Sequence, residues 1–428
     1  MAKIIAESHR VLKILTSLRV GFFLAVRQLG RTNKGTTALI IFVMALTFLN
    51  LVFIGGILVG LIEGSTTTYR QLYSGDVIMS VLDKKPYIED SPAAIAVAES
   101  LPWTRAVSAR YVAGGLLEAN YKDRTNYTDP PDQTNVLVEG MNPEDENSVT
   151  GIKNHLVEGS YLEPGDIDSV LVGSTKLYQY SPIDTPGLKT LKNVTVGTKV
   201  RIDIDGNVRE FTVKGIVKSK VQEMDSRVYM LDTSVRDMLG RTDNGVNEIV
   251  MRLDSQSDAD LAKQALMVSG IGDRAKIQTW QDAQPKAIKD IEGTFAMLGN
   301  IVGSIGLVVA AITTFIVIYI NAITRRKFIG ILRGIGVDAI AIEFSYVLQA
   351  LVYSVMGTAF GILILVYILE PYFAAHPIDF PFSDGILVAT FSGTLIRAAL
   401  LVLASVVAGY IPARIVNNQN VLDAILGR

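Results

Sequence analysis

Few residues in this 428-residue chain have the type and spacing for chemistry. Its three histidines, His9, His155 and His376, are far apart, and there is no cysteine. Thiol catalysis, disulfides and Cys-ligated metals are thereby removed, although an absence of cysteine leaves the compartment open. Neither an H-E-x-x-H nor a G-x-S-x-G pattern occurs. The stretch GRTNKGT at residues 30–36 approaches a phosphate loop, but its lysine precedes the second glycine. It also joins a helical pattern to an apolar run, whereas a phosphate cradle joins a strand to a helix. GILRGIG, ending at Gly336, lacks the G-x-G-x-x-G order. Asp203/Asp205 and Asp258/Asp260 could do acid–base work only beside a partner of matched pKa; they read as solvated strand and helix-start residues. Trp103 and Trp280 read as packing residues. No catalytic residue, metal site or cofactor of this chain's own emerges.

The elements that would position any function are membrane spans. The chain is 49% apolar and 19% charged, with a mean hydropathy of +0.33. That is too apolar for a soluble globule and too charged for a protein that is all membrane. A net charge of −2 gives no reason to expect nucleic acid. Four runs reach the ~20 apolar residues that a bilayer core requires: 39–62, 293–323, 339–369 and 386–411. The first is too long and too far from the start for a signal peptide h-region, and reads as an anchor.

Orientation follows from the Lys and Arg bias. Residues 1–36 carry seven bases and one acid, and the 324–338 loop carries four bases and one acid. The 370–385 loop has three acids and no base, and residues 63–292 hold 26 bases against 35 acids. Both termini, the 324–338 loop and the 412–428 tail are therefore expected in the cytoplasm, with 63–292 and 370–385 outside. In residues 1–38, Leu12, Leu15, Leu18, Phe22, Ala25 and Leu29 recur at helical spacing with bases off the stripe. This predicts an amphipathic helix, either lying at the cytoplasmic interface or packed on protein.

The outside segment mixes strand and helix patterns. RIDIDGNVREFTV alternates around Asp205-Gly206-Asn207, a hairpin signal. SPAAIAVAESL and SDADLAKQALMVSG read as helices. The order fits two α+β lobes, a strand-rich one at 140–240 inserted into an outer one at 65–139 plus 241–285. From Trp280 a helical pattern runs to Ile323, interrupted only by Pro285, which predicts a rod joining this domain to the next cytoplasmic stretch.

That stretch, ITRRKFIGILRGIGV, holds Arg325, Arg326, Lys327, Phe328, Gly330, Ile331, Leu332, Arg333 and Gly336. Topology alone accounts for the first three bases. The apolar and small residues after them predict a short helix whose surface seats in another protein. Within the spans, Arg397 near the midplane, Glu343 and Asn50 are the costly polar residues. Arg397 reads either as facing an interior or as a structural bond, and its depth argues against pairing with Glu343. Asn50 and Asn321 could bond across helices. Gly299/Gly303 and Gly357/Gly361 form GxxxG patterns that allow close helix approach.

One span, a large outside domain and three further spans resemble the MacB/LolC/FtsX type of ABC-transporter permease, the type VII or mechanotransmission group. LRVGFFLAVRQLGRTNKGTTALII is similar to that family's basic approach to span one. LVEGSYLEPGDIDSVLVGSTKL, VTVGTKVRI and FTVKGIV are similar to its outside domain. RRKFIGILRGIG and IPARIVNNQNVLDAIL are similar to its cytoplasmic loop and closing tail. Where the family has Glu before the Ile-Gly pair, this chain has Phe328.

The resemblance implies a non-catalytic subunit in the inner cell membrane, with ATP and Mg bound by a separate cytoplasmic ABC ATPase dimer. It implies a second permease, identical or related, and leaves room for an adaptor or membrane fusion protein. The 324–338 segment would be the coupling helix. Export or extraction of a lipoprotein, lipid, peptide or hydrophobic compound is the leading expectation. A regulator of a cell-wall hydrolase is a second, and a membrane-anchored sensor without an ATPase is a third.

Overall fold

The computed structural model describes residues 2–31, 34–122, 131–182, 189–376, 378–380, 383–385 and 387–417. The chain divides into two compact units: Glu63–Asp290, and the chain on either side of it. In order, the elements are helices α1 (Ala2–Arg31) and α2 (Lys34–Tyr69), strand β1 (Val77–Val81), α3 (Ser91–Ser100), β2 (Thr104–Ala119) and β3 (Asp132–Met141). Then follow α4 (Pro143–Thr150), β4 (Leu156–Gly159), β5 (Ser169–Gly173), β6 (Lys199–Ile204), β7 (Asn207–Val217), α5 (Gln222–Asp225), β8 (Arg227–Leu231) and α6 (Asp232–Met238). The chain continues through β9 (Glu248–Leu253), α7 (Ala259–Val268), β10 (Ala275–Thr279), α8 (Lys286–Thr324), α9 (Arg326–Gly334), α10 (Ala339–Ile364), α11 (Glu370–Ala375) and α12 (Phe391–Asn417).

The unit from Glu63 to Asp290 is built on one sheet in the order β10-β1-β9-β2-β3-β8-β5-β7-β4, with β6 pairing both β2 and β7. The expected hairpin is there: Ile204 faces Asn207 across a two-residue turn, and Asp205 and Gly206 both take positive φ. That is the primed geometry matching the twist of the strands. The Asp203 carboxylate accepts the Gly206 N–H at 2.9 Å, so this pair of aspartates serves the turn. Asp260 lies in the first turn of α7, where an acid suits the helix dipole.

The two-lobe division needs moving. A cut at residue 140 would pass through β3. One core gathers β1, α3, β9, α7 and β10 around Met79, Ile249 and Leu266. The other gathers β2, β3 and β5–β8 around Leu117, Val138, Ile202 and Val228. Strand β2 bridges them: Arg110 pairs with Glu248 of β9 and with Met141 of β3. Sequence periodicity gives strand and facing but not which strand pairs with which, so the seam at Arg110 was invisible. Gly75 turns the chain from α2 toward β1 with φ +60, and a Cβ there would lie 2.5 Å from the Met251 carbonyl oxygen. Only glycine meets both demands.

Among the described residues, four helical stretches are long and apolar enough to cross a bilayer: Thr37–Ser74, Ile288–Thr324, Ala339–Ala375 and Phe391–Ile415. The expected rod is shorter than read. Its helix starts at Lys286, after Pro285, because Trp280 and Ala283 close turns on Asp76 and Thr279. The 39 residues of α8 span about 58 Å. The fourth apolar helix starts at Phe391, later than 386, and continues past Pro412 to Asn417. The first residues of the 370–385 loop are helical, as α11. The last part of the closing tail lies outside the described residues.

Within this unit the two glycine pairs differ. A Cβ on Gly357 would stand 2.4 Å from Met44 Cβ and 3.1 Å from the Ala45 nitrogen, and one on Gly361 would stand 2.6 Å from a ring carbon of Phe48. These glycines let α10 cross α2 backbone to backbone. Gly299 and Gly303 meet only the tip of Leu58 or Leu51, at 3.2 and 3.5 Å, so they do not make a close crossing in this chain. Gly357→Leu is therefore expected to lower the melting temperature of the detergent-solubilised protein, at a cost of roughly 1–3 kcal/mol or more. Gly303→Leu is expected to shift it little, and equal shifts would refute the distinction.

Helix α1 packs on α10, with Ser17, Gly21, Ala25 and Gln28 turned inward. A Cβ on Gly21 would lie 2.5 Å from the Ala341 carbonyl oxygen, and Gln349 Nε2 donates to Gln28 Oε1 at 2.8 Å. The expected apolar stripe is divided: Leu15 and Phe22 point outward, while Ala25 and Leu29 pack inward. Small residues win the contact because they let two helix backbones approach, where dispersion and hydrogen bonds give most.

Candidate functional site

The stretch between α8 and α10 folds as the short helix α9. Arg325 leaves helical geometry and breaks the chain from α8. At the far end Gly336 takes φ +93, its N–H bonds the Arg333 carbonyl, and the Val337 N–H bonds the Leu332 carbonyl. This is a Schellman cap with its apolar contact, Val337 and Leu332 both joining one hydrophobic cluster. Gly336 thus ends the helix. Asp338 then caps α10, accepting the Ile340 N–H at 3.4 Å.

The two sides of α9 differ sharply. Ile329 is 3% exposed and sits with Ile318, Ala322, Ile342, Tyr346 and Ala413. Gly330 is buried and Leu332 partly so, so these two residues serve the bundle instead of an outer surface. On the other side Phe328, Ile331 and Ile335 are 48%, 51% and 73% exposed. Spacings of three and four residues put them on one face. Lys327 is exposed, while Arg325, Arg326 and Arg333 are half-buried and each has a polar or electrostatic contact. Ile335 was missed in the sequence, although its spacing from Phe328 and Ile331 was the signal. Phe328 and Ile331 on the helix, with Ile335 just after its last residue, make a face to be covered.

Arg397 turns inward. A Cβ on Gly55 of α2 would stand 2.3 Å from its Nη2, so the missing side chain at Gly55 makes room for the guanidinium. It does not reach Glu343. Gly409 of α12 lies beside Ala350 of α10, the helices run antiparallel, and the two charges are about 28 Å apart along the axes. Asn50 is exposed. Among the described residues neither it nor Asn321 makes the cross-helix hydrogen bond that was expected, because a helix-facing amide needs a polar group level with it. A Cβ on Gly306 would stand 3.9 Å from Asn50 Oδ1 and 3.7 Å from Leu51 Cδ1.

Sequence reasoning also missed a buried charge cluster at the seam of the sheet. Arg110, 1% exposed, donates from Nη2 and Nε to Glu146 at 2.7 and 2.9 Å. Arg227 donates from Nη1 to Glu139 at 2.6 Å, and from Nη2 to Glu248 at 3.0 Å and to the Tyr73 hydroxyl at 2.6 Å. Ser108 Oγ donates to Glu146 at 2.7 Å. Burial alone would raise Glu146 and Glu248, but the guanidiniums outweigh it and hold both carboxyls below their ordinary value. Glu139 is raised instead, since burial dominates and the two arginines are shared with two other carboxylates. Burial likewise raises the Tyr73 hydroxyl. The signal was a single charge set among apolar strand residues, Arg110 in VSARYVA and Glu139 in VLVEGM.

Two family models agree with this layout. Residues 37–267 match the family model of the MacB-like periplasmic core domain, and 300–421 that of the FtsX-like permease C-terminal region. An uncharacterized ABC transporter permease of Methanocaldococcus jannaschii is 22% identical over 276 residues, 63% of this chain and 65% of that protein. The chain thus aligns to less than two thirds of that relative's length. The periplasmic region of MacB from Actinobacillus actinomycetemcomitans matches at 13% identity and a TM-score of 0.32, over 50% of this chain and 92% of that one. The extracellular domain of the noncanonic ABC-type transporter YknZ from Gram-positive bacteria matches at 13% identity and a TM-score of 0.31, over 47% and 98%. With its four apolar helices in a 1+3 order and a MacB-like α+β domain inserted after the first, the chain belongs to the MacB/FtsX-type ABC transporter permeases.

Proposed function

We propose that this chain couples ATP hydrolysis by a separate cytoplasmic ATPase dimer to movement of its large domain outside the membrane. The observation that carries this reading is the outward apolar face of α9, Phe328, Ile331 and Ile335, on a helix anchored by Ile329 and closed by Gly336. Such a face on a capped, preorganised helix suits a groove in a partner. The charge bias supports a cytoplasmic position for α9 and both termini, and an extracytoplasmic one for 63–290. The unbroken α8 supports transmission of a push from the cytoplasmic side. ATP and Mg belong to the partner, and this chain contributes no catalytic group. Two permease chains work together, and the exposed polar Asn50 of α2 supports a helix–helix contact on that side. The cargo is of the lipoprotein, lipid, peptide or hydrophobic class, and an adaptor outside the membrane fits the same plan.

Affinity purification of the full-length chain from its native membrane is expected to recover a Walker-motif ATPase in stoichiometric amount. ATP turnover of that complex should stop when cysteines introduced in the two α8 helices, near Lys286, are cross-linked. Recovery of no ATP-binding chain would overturn the reading, and full turnover after cross-linking would remove the mechanical part of it.

A further inference from the structure

One charge in the membrane part is left over. Arg397 follows the first residue of α12, Phe391, by less than two turns, about 9 Å along the axis. It thus lies nearer the end that the charge bias puts outside than the midplane. Its guanidinium leans on two glycines: a Cβ on Gly55 of α2 would stand 2.3 Å from Nη2, and one on Gly393 would stand 3.2 Å from Nη1. Among the described residues it has no hydrogen-bond or ion-pair partner. A charge at this depth is costly without one, and arginine cannot shed its proton. A second unmet group stands on the same helix face: the Thr394 hydroxyl oxygen is buried with no hydrogen-bond partner. Thr47, Thr313 and Thr314 of the other apolar helices each donate to the carbonyl four residues earlier, at 2.8, 2.8 and 2.9 Å, the usual way to satisfy a helical hydroxyl. Thr394 does not.

The chain just before α12 fixes this arrangement, since the Val388 N–H bonds the Gly56 carbonyl of α2 at 3.2 Å and Leu387 is buried beside it. The first turn of α12, the positive end of its dipole, is thereby held against α2 at the level of the guanidinium. Two unmet donors and a helix end of the same sign call for an oxyanion, and the guanidinium fork suits a carboxylate or a phosphate. Phe391, Leu395 and Ile396 on the same turns point outward, on a helix that meets hydrocarbon. A soluble anion would have to give up its water to reach this depth, whereas the head of an amphiphile in that leaflet is already there. We propose that the notch between Gly55 of α2 and the first two turns of α12 binds the carboxylate or phosphate head of an amphiphile in the outer leaflet, its chains lying along the exposed face of α12. This rests on the coupling reading only in treating that amphiphile as cargo. Binding itself is a property of this chain alone.

The test uses the full-length chain in detergent, titrated with phosphatidylglycerol, palmitate or uncharged diacylglycerol and read by native mass spectrometry. Both anions are expected to bind more tightly than diacylglycerol, and the tighter of the two identifies the head. Arg397→Gln should weaken the anions about 10-fold or more, a charge-assisted hydrogen bond being lost, and leave diacylglycerol unchanged. Thr394→Val should weaken them a few-fold. A photoactivatable form of the tighter anion on the unmodified chain should label residues 53–57 or 390–397, which decides the matter even if the arginine variant misfolds. Anions that bind no better than diacylglycerol, unchanged affinity in Arg397→Gln, or labelling elsewhere would overturn the proposal. So would a disulfide joining two chains that carry Arg397→Cys, since the guanidinium would then serve a contact between copies. Recovery of no ATPase would remove the coupling reading and leave these results standing, so the two fail separately.

Discussion

Replacing Phe328 and Ile331 together by aspartate is expected to uncouple the protein without unfolding it. Both side chains lie about half in solvent, so the chain should insert and melt like the unmodified protein. Anchors of this kind at an interface centre contribute about 2–4 kcal/mol each. Losing both, and placing two charges where apolar surface must be covered, predicts a fall of more than 100-fold in affinity for the ATPase. ATP turnover should no longer respond to the permease. The matched change on the inner side, Ile329→Asp, is expected to do the opposite: it buries a charge beside Ile318 and Tyr346 and should abolish folding of the membrane part. Unaltered ATPase binding by the outer variant would show that another surface makes the contact.

The second large effect concerns the charged seam of the sheet. Arg110→Met leaves Glu146 buried without its cation and Glu139 with Arg227 alone, and removal of one partner from such a cluster costs about 3–5 kcal/mol. Glu146→Gln is expected to cost somewhat less, because the amide keeps one acceptor for Arg110 and Ser108. Glu139→Gln should cost little at neutral pH or even stabilise, since the cluster then balances two guanidiniums with two carboxylates. Trp103 and Trp280 both pack on the outer core and are the chain's two tryptophans, so intrinsic fluorescence follows unfolding of this domain directly.

The pH dependence follows from the directions of the shifts. Glu146 and Glu248 are depressed in the fold, so their contribution is present above the unfolded glutamate value of about 4.3. It is lost as pH falls through their lower folded values. Glu139 is raised and works the other way, favouring the fold as it takes up its proton. Acid unfolding should therefore become less steep in Glu146→Gln and steeper in Glu139→Gln. Equal acid profiles for the two variants would refute the assignment.

Much of this protein is legible without coordinates. The four long apolar helices, the hairpin at Asp205-Gly206 and the helices at Ser91 and Ala259 are local matters: they need only hydropathy, a turn chemistry and a period. The short helix at 326–334 was visible for the same reason. Which of its residues point outward was not. Gly330, Leu332 and Gly336 looked like parts of one contact surface, yet two face the bundle and the third is a cap. A helix of nine residues shows its two faces only when something packs against one of them.

What the sequence alone determined is the membrane plan: an anchor, a large inserted α+β domain, three further apolar helices and a basic connection between the second and third. Each follows from transfer free energies and charge bias summed along the chain, which do not depend on neighbours distant in sequence. The tertiary structure decided everything that rests on meeting. It chose Gly357/Gly361 over Gly299/Gly303 for a close crossing, because only the first pair finds a backbone opposite. It placed Arg397 in the space left by Gly55, and set five charges at the seam where β2 changes partners. It also turned the small face of α1 inward, leaving Leu15, Phe22 and Phe23 outward. These outcomes depend on pairings between residues tens to hundreds of positions apart, and no period along the chain encodes them.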